Sequence, residues 1–222
     1  MCGRFAFYSP AEATAALFGV SGSLDVKPRY NIAPTQYIAA IRNDEDAQAE
    51  LTSFRWGLVP SWARDPSIGS RMINARAETV AEKPSFRSAY RKRRCLILAD
   101  GFYEWHTEGG VKIPYFISLA SSEPFAFAGL WEHWQCKETG ETLETTTIVT
   151  TAANDYLSQL HQRMPVVLQP DNAPRWLGGD MELIEEAAIN APVFQAWPVD
   201  RKVNNARNES PDLNDPAGEP VK

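Results

Sequence analysis

The chain has 222 residues, of which 44% are hydrophobic and 11% aromatic, enough apolar material for one sizeable core. A formal net charge of −6 excludes nucleic-acid binding by overall positive charge, because that affinity comes from lysines and arginines that neutralise phosphates. Any such site must therefore be a local basic patch.

The cysteines and the hydropathy pattern indicate which cofactors and which cellular location to expect. Cys2, Cys95 and Cys136 are an odd number and lack the short paired spacings of zinc ligands, so we expect no disulfide framework, no metal and no cofactor. No segment reaches the ~20 apolar residues that a membrane helix needs. We expect a cytoplasmic protein, near the nucleoid if bacterial, with no membrane partner. Nothing indicates oligomerisation, so a monomer is expected.

The predicted elements begin with a short helix. Ser9-Pro10-Ala11-Glu12 has the form of a capping box with proline at the first helical position, and Gly19 is a natural stop. β-branched and aromatic composition predicts strands at Tyr37–Ile41, Leu51–Trp56, Cys95–Ala99, Phe102–Trp105, Tyr115–Leu119, Phe125–Trp131 and Thr145–Thr150. Helical composition returns at Asp155–Leu160, briefly after Asp171 and at Met181–Ile189.

Strands dominate this order, and the helices cluster at the two ends instead of alternating with strands. That arrangement favours an α+β fold over a doubly wound parallel fold. We expect a β-rich, barrel-like antiparallel core with flanking helices, in a single domain over residues 1–207. Residues 208–222 combine proline, glycine and acids with almost no apolar side chains, so they cannot offset the entropy of ordering and are predicted to form a flexible tail.

Cys2 is informative because of its position. Removal of the initiator methionine is efficient when the second residue is small, so the mature chain is expected to begin with a free α-amine beside a thiol. An α-amine titrates near ~7.7–8.0 and a thiol near ~8.5, so both nucleophilic forms are accessible at neutral pH. An aldehyde can form a Schiff base with the amine, and the thiol then closes a thiazolidine ring in an intramolecular step. The alternative is a small buried residue.

Two titratable side chains are candidates for moving protons. On a strand, Glu104 shares a face with Phe102 while Tyr103 and Trp105 point the other way. Desolvation there would raise the glutamate pKa toward neutrality, and the alternative is a surface glutamate on an edge strand. His161 follows a short helix, and its ordinary pKa near ~6.5 makes it a candidate proton shuttle or else a structural histidine.

Other polar and aromatic side chains are candidates for binding a nucleic acid. Asn74, Arg76 and Glu78 share one face if extended, where they could hold a sugar and a phosphate or form an ordinary salt-bridged strand. Trp56 and Trp62 could stack on bases or lie in the core. A run of cations without an acid among them is either a local basic patch or a solvated face: Lys83, Arg87, Arg91, Lys92, Arg93 and Arg94.

Seven segments, in this order, resemble the SRAP family, the SOS-response-associated peptidase domain that crosslinks to abasic sites. They are Met1–Phe5, Arg29–Pro34, Trp56–Trp62, Ile73–Thr79, Ala99–Trp105, Ile148–Asn154 and His161–Pro165. Seven ordered motifs are far more specific than any one of them. The resemblance implies a β-rich α+β fold with a positively charged cleft, and single-stranded DNA containing abasic sites as the partner.

The same resemblance implies roles for individual residues. Cys2 becomes the amino-terminal nucleophile, and Asn74 contacts the opened sugar or orients the reacting amine. Glu104 assists sugar ring opening and the proton transfers of the Schiff base. His161 assists proton transfer and reversal of the crosslink.

The resemblance also implies a DNA-binding surface. Arg4, Arg76 and Arg163 would bind phosphates around the lesion, and Trp62 would lie near the DNA. The chain departs from the family pattern at Ala206–Asn208, where many members have a proline soon after the preceding asparagines. Contacts made by that loop are therefore not carried over.

Three other functions share some of these features. Met1-Cys2-Gly3 is also how glutamine amidotransferases with an amino-terminal cysteine begin, but such enzymes need an oxyanion hole and nothing after Gly3 supports one. A peptidase, as the family name suggests, would expose Cys2 by cleaving its own precursor. A non-catalytic binder of single-stranded DNA would use arginines and tryptophans but leave Cys2 and Glu104 without a role.

Overall fold

The computed structural model describes residues 2–221, so Met1, whose removal is expected, and Lys222, at the end of the predicted tail, lie outside the described residues. The strands are β1 (Phe5–Phe7), β2 (Arg29–Ile32), β3 (Tyr37–Asn43), β4 (Ala49–Trp56), β5 (Asn74–Arg76), β6 (Arg94–Ala99), β7 (Gly101–Glu108), β8 (Val111–Leu119), β9 (Phe125–Gln135), β10 (Thr142–Ala152), β11 (Arg163–Pro165), β12 (Val167–Leu168) and β13 (Phe194–Pro198). The helices are α1 (Ala11–Leu17), α2 (Arg87–Lys92), α3 (Asp155–Ser158), α4 (Ala173–Leu177) and α5 (Leu183–Ile189).

A closed barrel forms the centre of the fold. Its strands pair in the order β10, β4, β3, β6 and β9, and β9 pairs back to β10. Aromatic side chains fill one part of its interior, where Phe5 packs edge-on against Trp56 and Phe127 with ring centroids 5.2 and 5.6 Å apart. Closure leaves these side chains out of contact with water. The predicted α+β fold with a β-rich, barrel-like core is confirmed.

A second sheet packs against the barrel in the order β13, β8, β7, β1 and β2. Successive side chains of its strand β7 point alternately into two hydrophobic cores, as strand geometry requires. Phe102 faces the barrel, with its ring 6.0 Å from that of Phe127, whereas Tyr103 packs in a smaller cluster with Val203 and Leu213. This alternation fixes the direction in which every side chain of β7 points.

All seven strands predicted from composition are present, but some pairings and helices differ from expectation. β10 runs parallel to both β4 and β5, so the sheet is not wholly antiparallel. The basic run contains the helix α2, which buries Ala89 and Tyr90, and this helix was not predicted. The capping box also does not form, because Ser9 donates its backbone N–H and its hydroxyl to the Asp100 carboxylate instead.

The segment predicted to be a flexible tail is packed onto the second sheet within residues 208–221. Leu213 is buried, the backbone N–H of Val221 donates to the Ala196 carbonyl at 2.9 Å, and Trp197 Nε1 donates to the Asn214 carbonyl at 2.7 Å. Polar contacts hold the segment, which is why its low apolar content misled the prediction. Among the described helices, none combines the length and apolar character that crossing a membrane requires.

Candidate active site

Cys2 lies where the start of the chain meets the middle of β7. The pairing of β1 with β7 sets Phe5 opposite Phe102, and the backbone N–H of Tyr103 donates to the Arg4 carbonyl at 2.9 Å. Continuing this antiparallel register by two residues brings Cys2 alongside the stretch of β7 that carries Glu104. The Cys2 side chain is 0% exposed, with its sulfur 3.9 Å from the Arg4 carbonyl oxygen.

Glu104 is a buried carboxylate, not a surface residue of an edge strand. It is 5% exposed, and β7 is paired on both sides, with β1 and with β8. Burial raises its pKa above the ordinary glutamate value, and the nearby positive charge of His161 offsets part of that rise. The expected burial and direction of the pKa change are confirmed.

The Cys2 thiol is held in its protonated form. Burial raises its pKa well above the ordinary value, and the Glu104 carboxylate raises it further because a second negative charge nearby is unfavourable. A buried thiol beside a carboxylate is a poor source of thiolate. Nucleophilic attack by this sulfur therefore needs a group that takes its proton during the reaction.

Asn74 contacts the backbone at the start of the chain. Its Nδ2 donates to the Cys2 carbonyl at 2.8 Å, while its buried Oδ1 meets no hydrogen-bond donor within residues 2–221. β5 carries this residue, and Trp56 fixes the strand by donating from Nε1 to the Ile73 carbonyl at 2.9 Å. Asn74 thus orients the Cys2 backbone and offers a further acceptor.

His161 follows α3, and its backbone N–H donates to the Leu157 carbonyl at 3.0 Å. Its Nδ1 lies 2.9 Å from the backbone N of Arg163 and 3.1 Å from the Arg163 carbonyl oxygen, so the backbone of Arg163 fixes the orientation of the ring. His106 holds the same turn, because its Nδ1 lies 3.3 Å from the Leu160 carbonyl oxygen. Sequence reasoning gave His106 no role, although it lies two residues after Glu104 and so shares the same face of β7.

Two of the predicted phosphate ligands are occupied by partners within the protein. Arg4 donates from Nη1 to Asn31 Oδ1 at 2.6 Å. Arg163 forms a bidentate ion pair with the Glu78 carboxylate at 2.6 and 3.0 Å and donates to the Thr150 carbonyl at 2.7 Å. Phosphate binding by Arg163 would therefore displace the Glu78 carboxylate.

The face expected to be shared by Asn74, Arg76 and Glu78 forms only in part. Asn74 and Arg76 lie on β5 with Arg76 exposed, but Glu78 falls in the 3₁₀ turn that follows the strand. Trp56 is fully buried in the barrel, so of the two tryptophans it is the core residue.

Trp62 is not brought into the cluster around Cys2. It is 58% exposed and lines a cavity of about 590 Å³ beside the β9–β10 hairpin. Trp134 attaches this loop by donating from Nε1 to the Ala63 carbonyl at 2.7 Å. The Trp62 ring is thus accessible for stacking.

The basic run is divided between solvent and core. Arg94 is buried and stacks on the rings of Tyr90 and Trp176 at 4.9 and 4.6 Å. Arg93 pairs with the buried Glu132 at 2.7 Å. The exposed cations of this run are Lys83, Arg87, Arg91 and Lys92.

A family model described as SOS response associated peptidase (SRAP) matches residues 1–206 of the chain. The chain belongs to the SRAP family. It is 43% identical over 222 residues to the abasic site processing protein YoqW of Bacillus subtilis (strain 168), covering 96% of this chain and 98% of that protein. It is 32% identical to the abasic site processing protein YedK of Escherichia coli (strain K12), covering 97% and 100%.

More distant SRAP relatives and a solved structure agree with this assignment. The abasic site processing protein HMCES of Xenopus tropicalis is 30% identical over 84% of this chain and 65% of its own. A crystal structure of a protein from Bacteroides thetaiotaomicron superposes with a TM-score of 0.87 at 28% identity, covering 97% of this chain and all of that one. The SRAP fold therefore extends over nearly the whole chain.

Proposed function

We propose that this chain captures abasic sites in single-stranded DNA covalently, through a thiazolidine that Cys2 forms once Met1 has been removed. One observation carries the proposal: four residues that are far apart in sequence meet at one place, and each has a role in this reaction. They are Cys2, Asn74, Glu104 and His161. The SRAP relatives named above are themselves abasic site processing proteins. The proposed activity is DNA–protein crosslinking.

The reaction balances with the loss of one water molecule. The sugar of an abasic site opens to an aldehyde, and the α-amine of Cys2 attacks its carbon. The aldehyde oxygen leaves as water, and a Schiff base forms. The Cys2 sulfur then adds to the same carbon, the nitrogen takes the electron pair of the double bond, and the thiol proton passes through a base to that nitrogen. The product is a five-membered ring joining protein and DNA.

Glu104 is suited to both proton transfers of this sequence. A carboxylic acid with a raised pKa can donate a proton to assist ring opening and water loss, and its conjugate base can then accept the thiol proton. The protonated Cys2 thiol needs such an acceptor at the moment of attack. His161 is the second group that transfers protons, and it assists reversal of the crosslink.

Asn74 orients the nucleophile, and arginines hold the DNA. The 2.8 Å hydrogen bond to the Cys2 carbonyl fixes the backbone that bears the amine, and Asn74 Oδ1 is available to a sugar hydroxyl. Arg4, Arg76 and Arg163 contact phosphates around the lesion. Arg163 does so by breaking its ion pair with Glu78. Trp62 stacks on a base away from the reacting carbon.

Amide hydrolysis fits this site less well. A cysteine peptidase or amidohydrolase needs a thiolate, which is produced by a depressed pKa. Here burial and the Glu104 carboxylate raise the pKa of Cys2. Addition to a Schiff base tolerates a neutral thiol because the acceptor is strongly electrophilic and the proton can leave during attack.

The proposal is tested by incubating the protein with a single-stranded oligonucleotide that carries one abasic site. We expect a species of reduced mobility that survives denaturant and heat. Cys2→Ala should abolish it, whereas Cys136→Ala, which removes a partly exposed thiol, should leave it unchanged. Salt should slow formation by screening phosphate contacts but leave the finished adduct intact. A Cys2→Ala protein that still forms the adduct overturns the proposal.

A further inference from the structure

Asn31 is a polar residue at the centre of a buried network. It lies on β2, and its side chain is 0% exposed. Its Oδ1 accepts the 2.6 Å hydrogen bond from Arg4 Nη1 described above. Its Nδ2 lies 2.9, 3.0 and 3.2 Å from the carbonyl oxygens of Asn208, Asn205 and Val203. One side chain thus joins Arg4 to the segment Val203–Glu209, the C-terminal strap.

This network fixes which edge of Arg4 is not used by Asn31 and the strap. The second hydrogen bond of Nη1 goes to the Val203 carbonyl at 2.9 Å, so both hydrogens of that nitrogen are used. The opposite edge carries Nε and Nη2, and the buried Nε meets no acceptor within the described part of the chain. Two parallel N–H groups on one guanidinium edge match the geometry of a phosphate.

We propose that Asn31 is a positioning residue that holds this edge of Arg4 toward the phosphate next to the lesion, using the C-terminal strap as its support. The inference rests on the proposed function, since it concerns the same DNA site. The strap is attached to β2 independently of the Asn31 side chain, because the Glu209 carboxylate accepts from the backbone N–H groups of Tyr30 and Asn31 and from Arg29 Nε. The strap is therefore held against β2 by contacts that do not involve the Asn31 side chain.

An amide is the side chain this position requires. It must accept a hydrogen bond from a guanidinium on one end and donate to carbonyl oxygens on the other. Aspartate would accept from Arg4 but set an oxygen against three carbonyl oxygens. Leucine, of similar volume, would lose both contacts and leave Arg4 Nη1 with its bond to the Val203 carbonyl alone, so the guanidinium would be less firmly oriented.

The test separates binding from chemistry. Binding is measured by fluorescence anisotropy, over a series of salt concentrations, with an oligonucleotide carrying a tetrahydrofuran analogue that has no aldehyde. We expect Asn31→Leu to weaken binding about tenfold and to reduce the salt slope by about 0.7, the value for one lost phosphate contact on a single strand. The crosslinking rate at saturating abasic DNA should change less than about twofold. Arg4→Ala should behave in the same way.

A double-mutant cycle distinguishes positioning from general damage to the fold. Asn31→Leu should add no further loss in the Arg4→Ala background, because the two residues act as one unit. Asp212→Ala is the matched control, since it breaks the exposed Lys202–Asp212 pair near the strap and should not change binding. If Asn31→Leu does not fold, Glu209→Gln should give a smaller loss of affinity, of two- to threefold, that is absent without Arg4.

An equal loss of affinity in the Arg4→Ala background, or an unchanged salt slope, would overturn the inference and make Asn31 a purely structural residue. The proposed function fails by a different result, namely no covalent adduct between the parent protein and true abasic DNA. Because the analogue cannot form the covalent adduct, its binding data test the role of Asn31 whether or not the parent protein crosslinks to abasic DNA.

Discussion

Replacing Glu104 by glutamine keeps the size of the side chain but removes a buried negative charge. The pKa of Glu104 is raised in the folded protein above its value in the unfolded chain, near ~4.3, so the folded state binds the proton more tightly. The stability that this residue contributes is thus fully present below about pH 4 and is lost as the pH rises through the folded pKa. Glutamine should therefore leave the free energy of unfolding unchanged near pH 4 and increase it at pH 8.

The size of this gain follows from linkage. One pKa unit corresponds to about 1.4 kcal/mol, and 1 kcal/mol moves the Tm of a chain of this size by roughly 2–4 °C. We expect Glu104→Gln to melt at a higher temperature than the parent at pH 8 but not at pH 4, and to crosslink abasic DNA about 100-fold more slowly or worse, because a general acid–base is lost. Thermal melts from pH 4 to pH 8 check the first expectation and single-turnover gels the second. A Tm difference independent of pH would refute the reasoning.

Three further substitutions test other parts of the structure. Glu78→Gln should tighten binding of single-stranded DNA roughly tenfold, or ~1.4 kcal/mol, by releasing Arg163, while costing less than about 1 kcal/mol of stability because the pair is partly exposed. Unchanged affinity in an anisotropy titration would contradict this. Trp56→Phe removes the bond from Nε1 to the Ile73 carbonyl, which keeps its bond from the Ile148 N–H, and should cost about 0.5–1.5 kcal/mol in urea unfolding and slow crosslinking through the loosened β5. Phe127→Ala should cost about 3–5 kcal/mol in the same assay, because Phe127 lies fully buried at the contact between barrel and second sheet. A loss below 1 kcal/mol would show that the barrel interior is not close-packed there.

The barrel could be predicted because its strands carry their signal locally. β6 is buried at every position and β9 at most, and the runs of apolar and aromatic residues in them are visible without any knowledge of their partners. The short strands β1, β5 and β11 were missed, since each has only three residues and is held by pairing to a distant strand. The parallel pairing of β5 with β10 depends on that distant contact.

The site was predictable as a set of residues but not as a set of contacts. The position of Cys2 and the aromatic setting of Glu104 pointed to the reaction before any geometry was available. The Arg163–Glu78 pair and the Arg4–Asn31 contact join residues remote in sequence, and composition carries no sign of them. The segment from Asn208 onward was mistaken for a flexible tail because hydrogen bonds hold most of it in place and it has few apolar side chains.

Intact mass spectrometry of the purified protein, alone and after incubation with an oligonucleotide carrying one abasic site, tests the central claim most directly. The account predicts a chain without Met1, and an adduct whose mass is the sum of that chain and the oligonucleotide less one water. Cys2 in the adduct should no longer react with a maleimide, because its sulfur is part of the ring. A chain that retains Met1 yet forms the adduct, or an adduct in which Cys2 remains alkylatable, would contradict it.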